Sequence, residues 1–204
     1  MKWHKIYLLA LILGSETFLQ PTIVSAQQSL RRGAVIRQTS DLTCGPAAVA
    51  TLLKFYFSEN TTEDEIAKIA GTYEKGTSSL LDLRNACRIK GYEAIGYRMT
   101  LPQLLREIEK SGVPVVVHFK EPSLHFALVV GQVGNFILVS DPSRGNVSMD
   151  VADFLHRWDN HALVVKASHP VDRTIAEKRK RSAETRLQTL NRANLLMSST
   201  RFQR

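Results

Sequence analysis

Hydrophobic and polar positions divide the middle of the chain into a helical first part and a strand-rich second part. In the first part, apolar residues recur at the spacing of one helix face. The predicted helices are 47–57, 63–70, 80–90 and 101–111. Glycine follows three of these segments, at Gly71, Gly91 and Gly112. Because glycine adopts the left-handed conformation that ends many helices, these positions support the predicted boundaries.

The second part contains short runs of Val, Ile and Phe separated by Gly and Pro, a pattern typical of strands. The predicted strands are 114–119, 125–131, 135–140, 147–149 and 161–166, with a short helix at 151–157. The pair Val133-Gly134 predicts a hairpin turn between the second and third of these strands. Helices followed by an antiparallel sheet indicate the α+β class.

The N-terminal residues 1–26 have the features of a signal peptide. Lys2 and Lys5 precede an apolar run at 6–13, and a stretch of small residues ends at Ala26. This pattern predicts export and cleavage near Ala26. The apolar run is shorter than the ~20 residues that a membrane-spanning helix needs, although an uncleaved amphipathic anchor is an alternative interpretation. The processed protein is therefore expected in the periplasm or outside the cell.

The net charge of +8 is concentrated at the C-terminal end. Residues 170–204 carry nine Lys or Arg and three Asp or Glu, whereas residues 27–169 have a net charge of only +1. A nearly neutral domain argues against nucleic-acid binding, which needs a basic face. Residues 27–169 are thus predicted to form one globular domain, and residues 170–204 a basic tail that is helical or disordered. Docking on a partner protein and contact with anionic lipids are two further interpretations of the tail.

Cys44 is the first candidate for chemistry. The sequence Thr43-Cys44-Gly45-Pro46 predicts a turn that runs directly into a helix, because proline suits the first helical turn. A thiol at a helix N-terminus has a lowered pKa, and the thiolate is the attacking species. Gln38, six residues upstream, is placed to fold back and join the Cys44 N–H in an oxyanion hole. A structural thiol and a disulfide to Cys87 remain alternatives at this point, because export permits disulfides.

A nucleophilic cysteine needs a base, and the base needs a group that orients it. His125 opens a predicted strand, and Asp141 closes the next one. With a turn at Val133-Gly134, residue i of the first strand pairs with about 267 − i of the second, so that His125 faces position 142 and Asp141 lies within reach. His118 is the rival base, but no acidic residue follows it at hairpin spacing.

Three other candidates are given structural roles. Cys87 lies within the apolar pattern of the helix at 80–90 and is predicted to be a buried free thiol. His156 and His161 lie near Asp159, but their spacing matches no standard zinc site. We therefore expect no metal and no cofactor.

Three sequence blocks resemble the signature blocks of peptidase family C39. They are residues 38–50, 125–131 and 140–145, and they occur in the family's order. The resemblance extends over about residues 34–166, and it implies a papain-like fold in which a helix carrying the nucleophile packs on an antiparallel sheet.

The same resemblance implies roles for four residues. Cys44 matches the nucleophile of the family and His125 its base. Asp141 matches the residue that orients the base, and Gln38 matches the glutamine of the oxyanion hole. Pseudo-peptidase members of the family lack the cysteine, which this chain has.

The best-known members of the family are domains of bacteriocin-exporting ABC transporters, which cleave leader peptides after a double glycine. This chain is more similar to the standalone exported members found in functional-amyloid (Fap) secretion systems. The resemblance implies a cysteine endopeptidase that hydrolyses a peptide bond of an exported protein or leader peptide. An exported amyloid subunit and an outer-membrane secretion component are the implied partners. Two alternatives stay open: an idle domain that binds an extended peptide, and a transferase in which an amine replaces water.

Overall fold

The computed structural model describes residues 34–167 and four isolated positions, 181, 185, 188 and 189. The four isolated positions are helical. The predicted signal peptide and the rest of the predicted tail lie outside the described residues. Within the described part, no helix combines the length and the apolar character needed to cross a membrane.

Six helices form in the described part of the chain. They are α1 (Cys44–Tyr56), α2 (Glu63–Ala70), α3 (Thr72–Lys75), α4 (Leu80–Ile89), α5 (Leu101–Ser111) and α6 (Val151–Arg157). All of the predicted helices are present, and the short α3 was not predicted. Capping explains two of the starts, because the side chains of Thr62 and Ser79 accept backbone N–H groups in the first turns of α2 and α4.

One antiparallel sheet contains six strands. They are β1 (Tyr92–Arg98), β2 (Val115–Phe119), β3 (His125–Val133), β4 (Phe136–Asp141), β5 (Gly145–Asp150) and β6 (Trp158–Ala167). Their order across the sheet is β1-β6-β2-β3-β4-β5. The predicted α+β class is confirmed.

The strand β1 corrects the predicted order of helices first and sheet second, because it lies between α4 and α5. It is an edge strand that pairs with β6. Within β1, Ala94 alone is buried, and Glu93 and Gly96 are exposed. An edge strand with so little buried surface lacks the alternating apolar pattern by which strands are predicted.

The sheet separates two hydrophobic cores. Alternate residues of β3 enter different cores: Leu128 packs with α1, α2 and α4, whereas Val129 packs with α5 and α6. Leu53 of α1 and Leu83 of α4 belong to the first core and are fully buried. This packing brings the helix that begins at Cys44 onto the strand that begins with His125.

The hairpin of β3 and β4 differs from its predicted register. Val133 pairs with Phe136, so the turn is Gly134-Asn135 and lies one residue later than predicted. Gly134 has a φ of 55°, a conformation that suits glycine. The register shifts again between Val129 and Gly131. These changes leave the start of β3 beside the end of β4, as the antiparallel arrangement requires.

Candidate active site

Cys44 is the first residue of α1, which therefore begins three residues before the predicted start at Ala47. The carbonyl of Thr43 accepts the Ala47 N–H at 2.9 Å and so begins the helical hydrogen bonding. First-turn N–H groups have no partner within a helix, and the helix dipole favours negative charge there. The position therefore favours negative charge on Cys44.

Gly45 allows α1 to approach its neighbours closely. A Cβ on Gly45 would lie 2.9 Å from Leu83 Cδ1 and 3.1 Å from Phe126 Cδ2. Such distances are too short for ordinary side chains, so the absence of a Cβ brings the N-terminus of α1 against α4 and β3. Phe126 follows His125 directly, so this close approach brings the N-terminus of α1 near the start of β3.

His125 and Asp141 meet across the hairpin. His125 Nε2 lies 2.9 Å from Asp141 Oδ1. The Asp141 side chain is 1% exposed and that of His125 is 18% exposed, so their contact is largely shielded from water. Since Nε2 donates to the carboxylate, Nδ1 is the ring nitrogen left to interact with Cys44, whose pKa His125 lowers.

The pKa shifts of these groups favour an ion pair. Burial by itself raises the pKa of the Cys44 thiol, but hydrogen bonds from His125 and from the backbone of Phe126 and Gly45 bring it below its ordinary value. Burial lowers the pKa of His125, but its bonds to Asp141 and Cys44 raise it to about 9. Both shifts favour the thiolate–imidazolium pair, which is the state that attacks a carbonyl.

Besides His125, two further residues donate hydrogen bonds to the Asp141 carboxylate. Ser143 donates to Oδ1 from its backbone N–H and its hydroxyl, each at 2.8 Å. Arg144 donates to Oδ1 from its backbone at 3.2 Å and to Oδ2 from Nε at 2.8 Å. Burial opposes the charge, yet these donors and His125 keep the pKa of Asp141 well below its usual range. The carboxylate is therefore ionised and fixed in direction.

Sequence reasoning did not assign roles to Ser143 and Arg144, although a signal for Ser143 was present. Aspartate commonly accepts the backbone N–H two residues further along the chain, and Asp141-Pro142-Ser143 has that spacing. The contact of the Arg144 side chain has no such local signature.

The segment before α1 is tied to the turn that follows β4. The Gln38 N–H donates to Pro142 O at 3.1 Å. The guanidinium of Arg37 donates to Ser143 O. The predicted oxyanion residue and the turn of Asp141 therefore form one hydrogen-bonded unit.

The Gln38 side chain bonds the turn that carries Cys44. Its Nε2 donates to Ser40 O at 2.9 Å, and the same carbonyl accepts the Thr43 hydroxyl at 3.0 Å. A primary amide has two N–H groups, so this contact occupies one of them. Its Oε1 is buried and has no hydrogen-bond partner among the described residues. The structure thus ties the Gln38 side chain to the turn that precedes Cys44.

His118 has an acidic partner that sequence spacing did not reveal. Its Nδ1 lies 2.5 Å from Asp159 Oδ2, and His161 Nδ1 lies 3.1 Å from the same oxygen. The partner comes from β6, which lies next to β2 in the sheet but not in the chain. The His118 ring packs on Phe126, with centroids 4.7 Å apart. The hydrogen bond of the thiol, however, is to His125.

Both cysteines lie among the described residues, and neither forms a disulfide. Cys44 and Cys87 are both free, so the alternative of a disulfide between them is wrong. Cys87 is fully buried as predicted, and burial raises its pKa to about 12. Among the described residues, no cluster of three His, Cys, Asp or Glu side chains could hold a metal ion.

Comparison with known proteins identifies the family to which the sequence is related. The family model of peptidase C39 matches residues 32–169. An uncharacterized protein of Methanothermobacter thermautotrophicus is 30% identical over 138 residues, which are 68% of this chain and 92% of that protein. The probable functional amyloid protease FapD of Pseudomonas aeruginosa is 26% identical over 151 residues, which are 70% of this chain and 64% of that protein.

A solved structure agrees with the sequence comparison. It is a double glycine motif protease from an AMS/PCAT transporter in complex with the leader peptide, with a TM-score of 0.56 and 27% identity. The similarity covers 66% of this chain and 91% of that one. The family match spans more than half of the chain and includes every residue of the predicted site. The chain belongs to the peptidase C39 family.

Proposed function

We propose that the chain is a cysteine endopeptidase that hydrolyses a peptide bond of an exported protein or leader peptide. The observation that carries the proposal is the hydrogen-bonded pair of His125 and Asp141 together with the mutual effect of His125 and Cys44 on their pKa values. The shifted pKa values of the thiol and the imidazole support it, because they favour the reactive ion pair. Membership in a peptidase family agrees with this chemistry.

The mechanism is acyl transfer through a thioester. The Cys44 thiolate attacks the peptide carbonyl, and the Cys44 N–H and the Gln38 amide stabilise the oxyanion. His125 gives its proton to the leaving amine as the C–N bond breaks. It then takes a proton from water, which attacks the thioester; the C–S bond breaks, the carboxylic acid is released, and the Cys44 thiolate and the imidazolium are restored. Asp141 holds the ring and stabilises the imidazolium throughout.

The substrate class rests on the relatives. One solved relative was crystallised with a leader peptide, and another relative is named as a functional amyloid protease. We therefore propose an exported amyloid subunit or an outer-membrane secretion component as the finer substrate class. Cleavage of the predicted signal peptide near Ala26 would put the enzyme in the same compartment, the periplasm or the exterior.

Loss of the nucleophile tests the function. The full chain is expressed with a candidate exported substrate, and cleavage is followed by mass spectrometry with Cys44→Ala and Cys87→Ala as a matched pair. We expect Cys44→Ala to abolish the products and Cys87→Ala to retain them. Iodoacetamide at neutral pH should modify Cys44 well before Cys87, whose pKa of about 12 leaves little thiolate.

Three results would contradict hydrolysis. Full function of Cys44→Ala in cells would indicate a domain that only binds its peptide. Products joined to an added amine, rather than to water, would indicate a transferase. Equal and slow alkylation of both thiols would show that Cys44 is not activated.

A further inference from the structure

Glu63 is a buried carboxylate to which the peptidase mechanism assigns no role. It is the first residue of α2 and is 5% exposed. Sequence patterning explains it only as one of the acidic residues that begin a helix, where the dipole favours negative charge. Its neighbours Asp64 and Glu65 fit that explanation better, since both are exposed or half-exposed. Burying a carboxylate costs free energy unless hydrogen bonds or an opposite charge compensate for the lost water.

The contacts of Glu63 lead to the oxyanion segment. Its Oε1 accepts the Thr39 N–H at 2.8 Å and the Thr39 hydroxyl at 3.2 Å. Among the described residues, no salt bridge to a cation accompanies these bonds. The carboxylate therefore reaches out of its own helix to hold one residue, and that residue directly follows Gln38.

Gln38 is thereby held on two sides. Its own N–H is bonded to Pro142 O, beyond β4. The next N–H along the chain, that of Thr39, is bonded to Glu63 of α2. Two successive peptide groups anchored to different elements leave little rotation for the residue whose side chain starts between them. The direction in which the Gln38 side chain leaves the backbone thus depends on Glu63.

We infer that Glu63 is a positioning residue of the oxyanion hole, acting through Thr39 on Gln38; this inference rests on the function proposed above. A positioning residue of this kind affects the tetrahedral intermediate and not the binding of the peptide or the ionisation of the thiol. Misplacing a donor by about 1 Å can reduce the rate roughly a hundredfold. Removal of Glu63 should therefore lower kcat by roughly tenfold to a hundredfold and leave KM nearly unchanged.

The test compares Glu63→Ala with Asp64→Ala, which removes a neighbouring acid of the same helix that contacts Lys68 and Tyr73 instead. Glu63→Gln is the conservative variant, because its amide oxygen still accepts from Thr39. We expect Glu63→Ala to lose kcat, whereas the other two variants stay close to wild type. Since one donor and its support act as a unit, Glu63→Ala should add no further loss in a Gln38→Ala background. A full, additive loss in that background would overturn the inference.

Two reagents that react with the Cys44 thiol distinguish a failure of this inference from a failure of the proposed peptidase function. A tripeptide aldehyde forms a tetrahedral adduct with the thiol and needs the oxyanion hole, whereas iodoacetamide alkylates the thiolate without one. In Glu63→Ala, aldehyde affinity should fall while the alkylation rate of Cys44 is unchanged. Equal losses for both probes would mean general damage to the site and would overturn the inference. An unreactive Cys44 in the wild type would instead refute the proposed peptidase.

Amide exchange provides a measurement that needs no activity. Hydrogen–deuterium exchange of the Thr39 N–H should accelerate in Glu63→Ala and not in Asp64→Ala, because only the first change removes its acceptor. Unchanged exchange at Thr39 in Glu63→Ala would overturn the inference whatever the substrate proves to be.

Discussion

His125 Nε2 lies 2.9 Å from Asp141 Oδ1 and joins the start of one strand to the end of the next. This contact leaves the opposite ring nitrogen for Cys44. Burial lowers the pKa of His125, but the interactions with Asp141 and Cys44 together raise it to about 9. The same carboxylate is held by Ser143 and Arg144. The orientation of the base is therefore set by a rigid turn and not by the histidine alone.

The first prediction concerns the pH dependence of kcat/KM. Activity should rise as the Cys44 thiol ionises, below its ordinary pKa, and fall as His125 loses its proton near pH 9. In Asp141→Asn the negative charge that stabilises the imidazolium is gone. The pKa of His125 should therefore fall, and the alkaline limb should move down by about one pH unit.

A matched control for that profile is Asp159→Asn, which makes the same change at the carboxylate bonded to His118. This variant should leave the alkaline limb in place. An alkaline limb that stays near pH 9 in Asp141→Asn would contradict the role given to Asp141.

The second prediction concerns the close approach at Gly45. In Gly45→Ala the new Cβ would meet Leu83 and Phe126, so these side chains or α1 itself must shift. We expect a loss of about 1–3 kcal/mol in the free energy of unfolding and slower alkylation of Cys44. Denaturant unfolding and iodoacetamide labelling measure the two effects.

Gly96→Ala is the control for Gly45→Ala. A Cβ on Gly96 would lie 3.5 Å from Leu80 Cδ2, an ordinary contact. This variant should keep its stability and its labelling rate. Equal behaviour of the two alanine variants would show that the packing at Gly45 does not set the site.

The third prediction decides between the two histidines. His118→Phe keeps an aromatic ring against Phe126 but removes the bond to Asp159. Because the thiol bonds His125, His118→Phe should retain activity, whereas His125→Phe should lose roughly a hundredfold or more of kcat. His156→Phe, at a largely exposed site, controls for the substitution itself. A comparable loss in His118→Phe would identify His118 as part of the chemistry.

Local patterns were sufficient for the parts of this protein whose contacts are close in sequence. A helix start close to Cys44 follows from the Cys-Gly-Pro sequence, although the helix begins three residues before the predicted Ala47. The meeting of His125 with Asp141 follows from the length of a hairpin. An error of one residue in the turn did not matter, because the ends of paired strands lie together over a small range of registers.

Contacts between distant segments could not be read from spacing. His118 meets Asp159, 41 residues away, because β6 inserts beside β2 in the sheet. Thr39 meets Glu63, 24 residues away, because α2 packs near the segment before α1. The edge strand β1 was not predicted, because it buries too little apolar surface to show an alternation of apolar and polar residues.

By itself, the sequence determined the α+β class, most helix and strand positions, and the residues with suitable chemistry. Only the tertiary structure decided how those residues are held. Gly45 lets α1 pack closely on β3, and Arg144 bonds Asp141. The backbone around Gln38 is bonded to Pro142 on one side and to Glu63 on the other. The physical reason is that propensity and periodicity act over a few residues, whereas orientation within a site depends on packing between elements that sequence spacing does not relate.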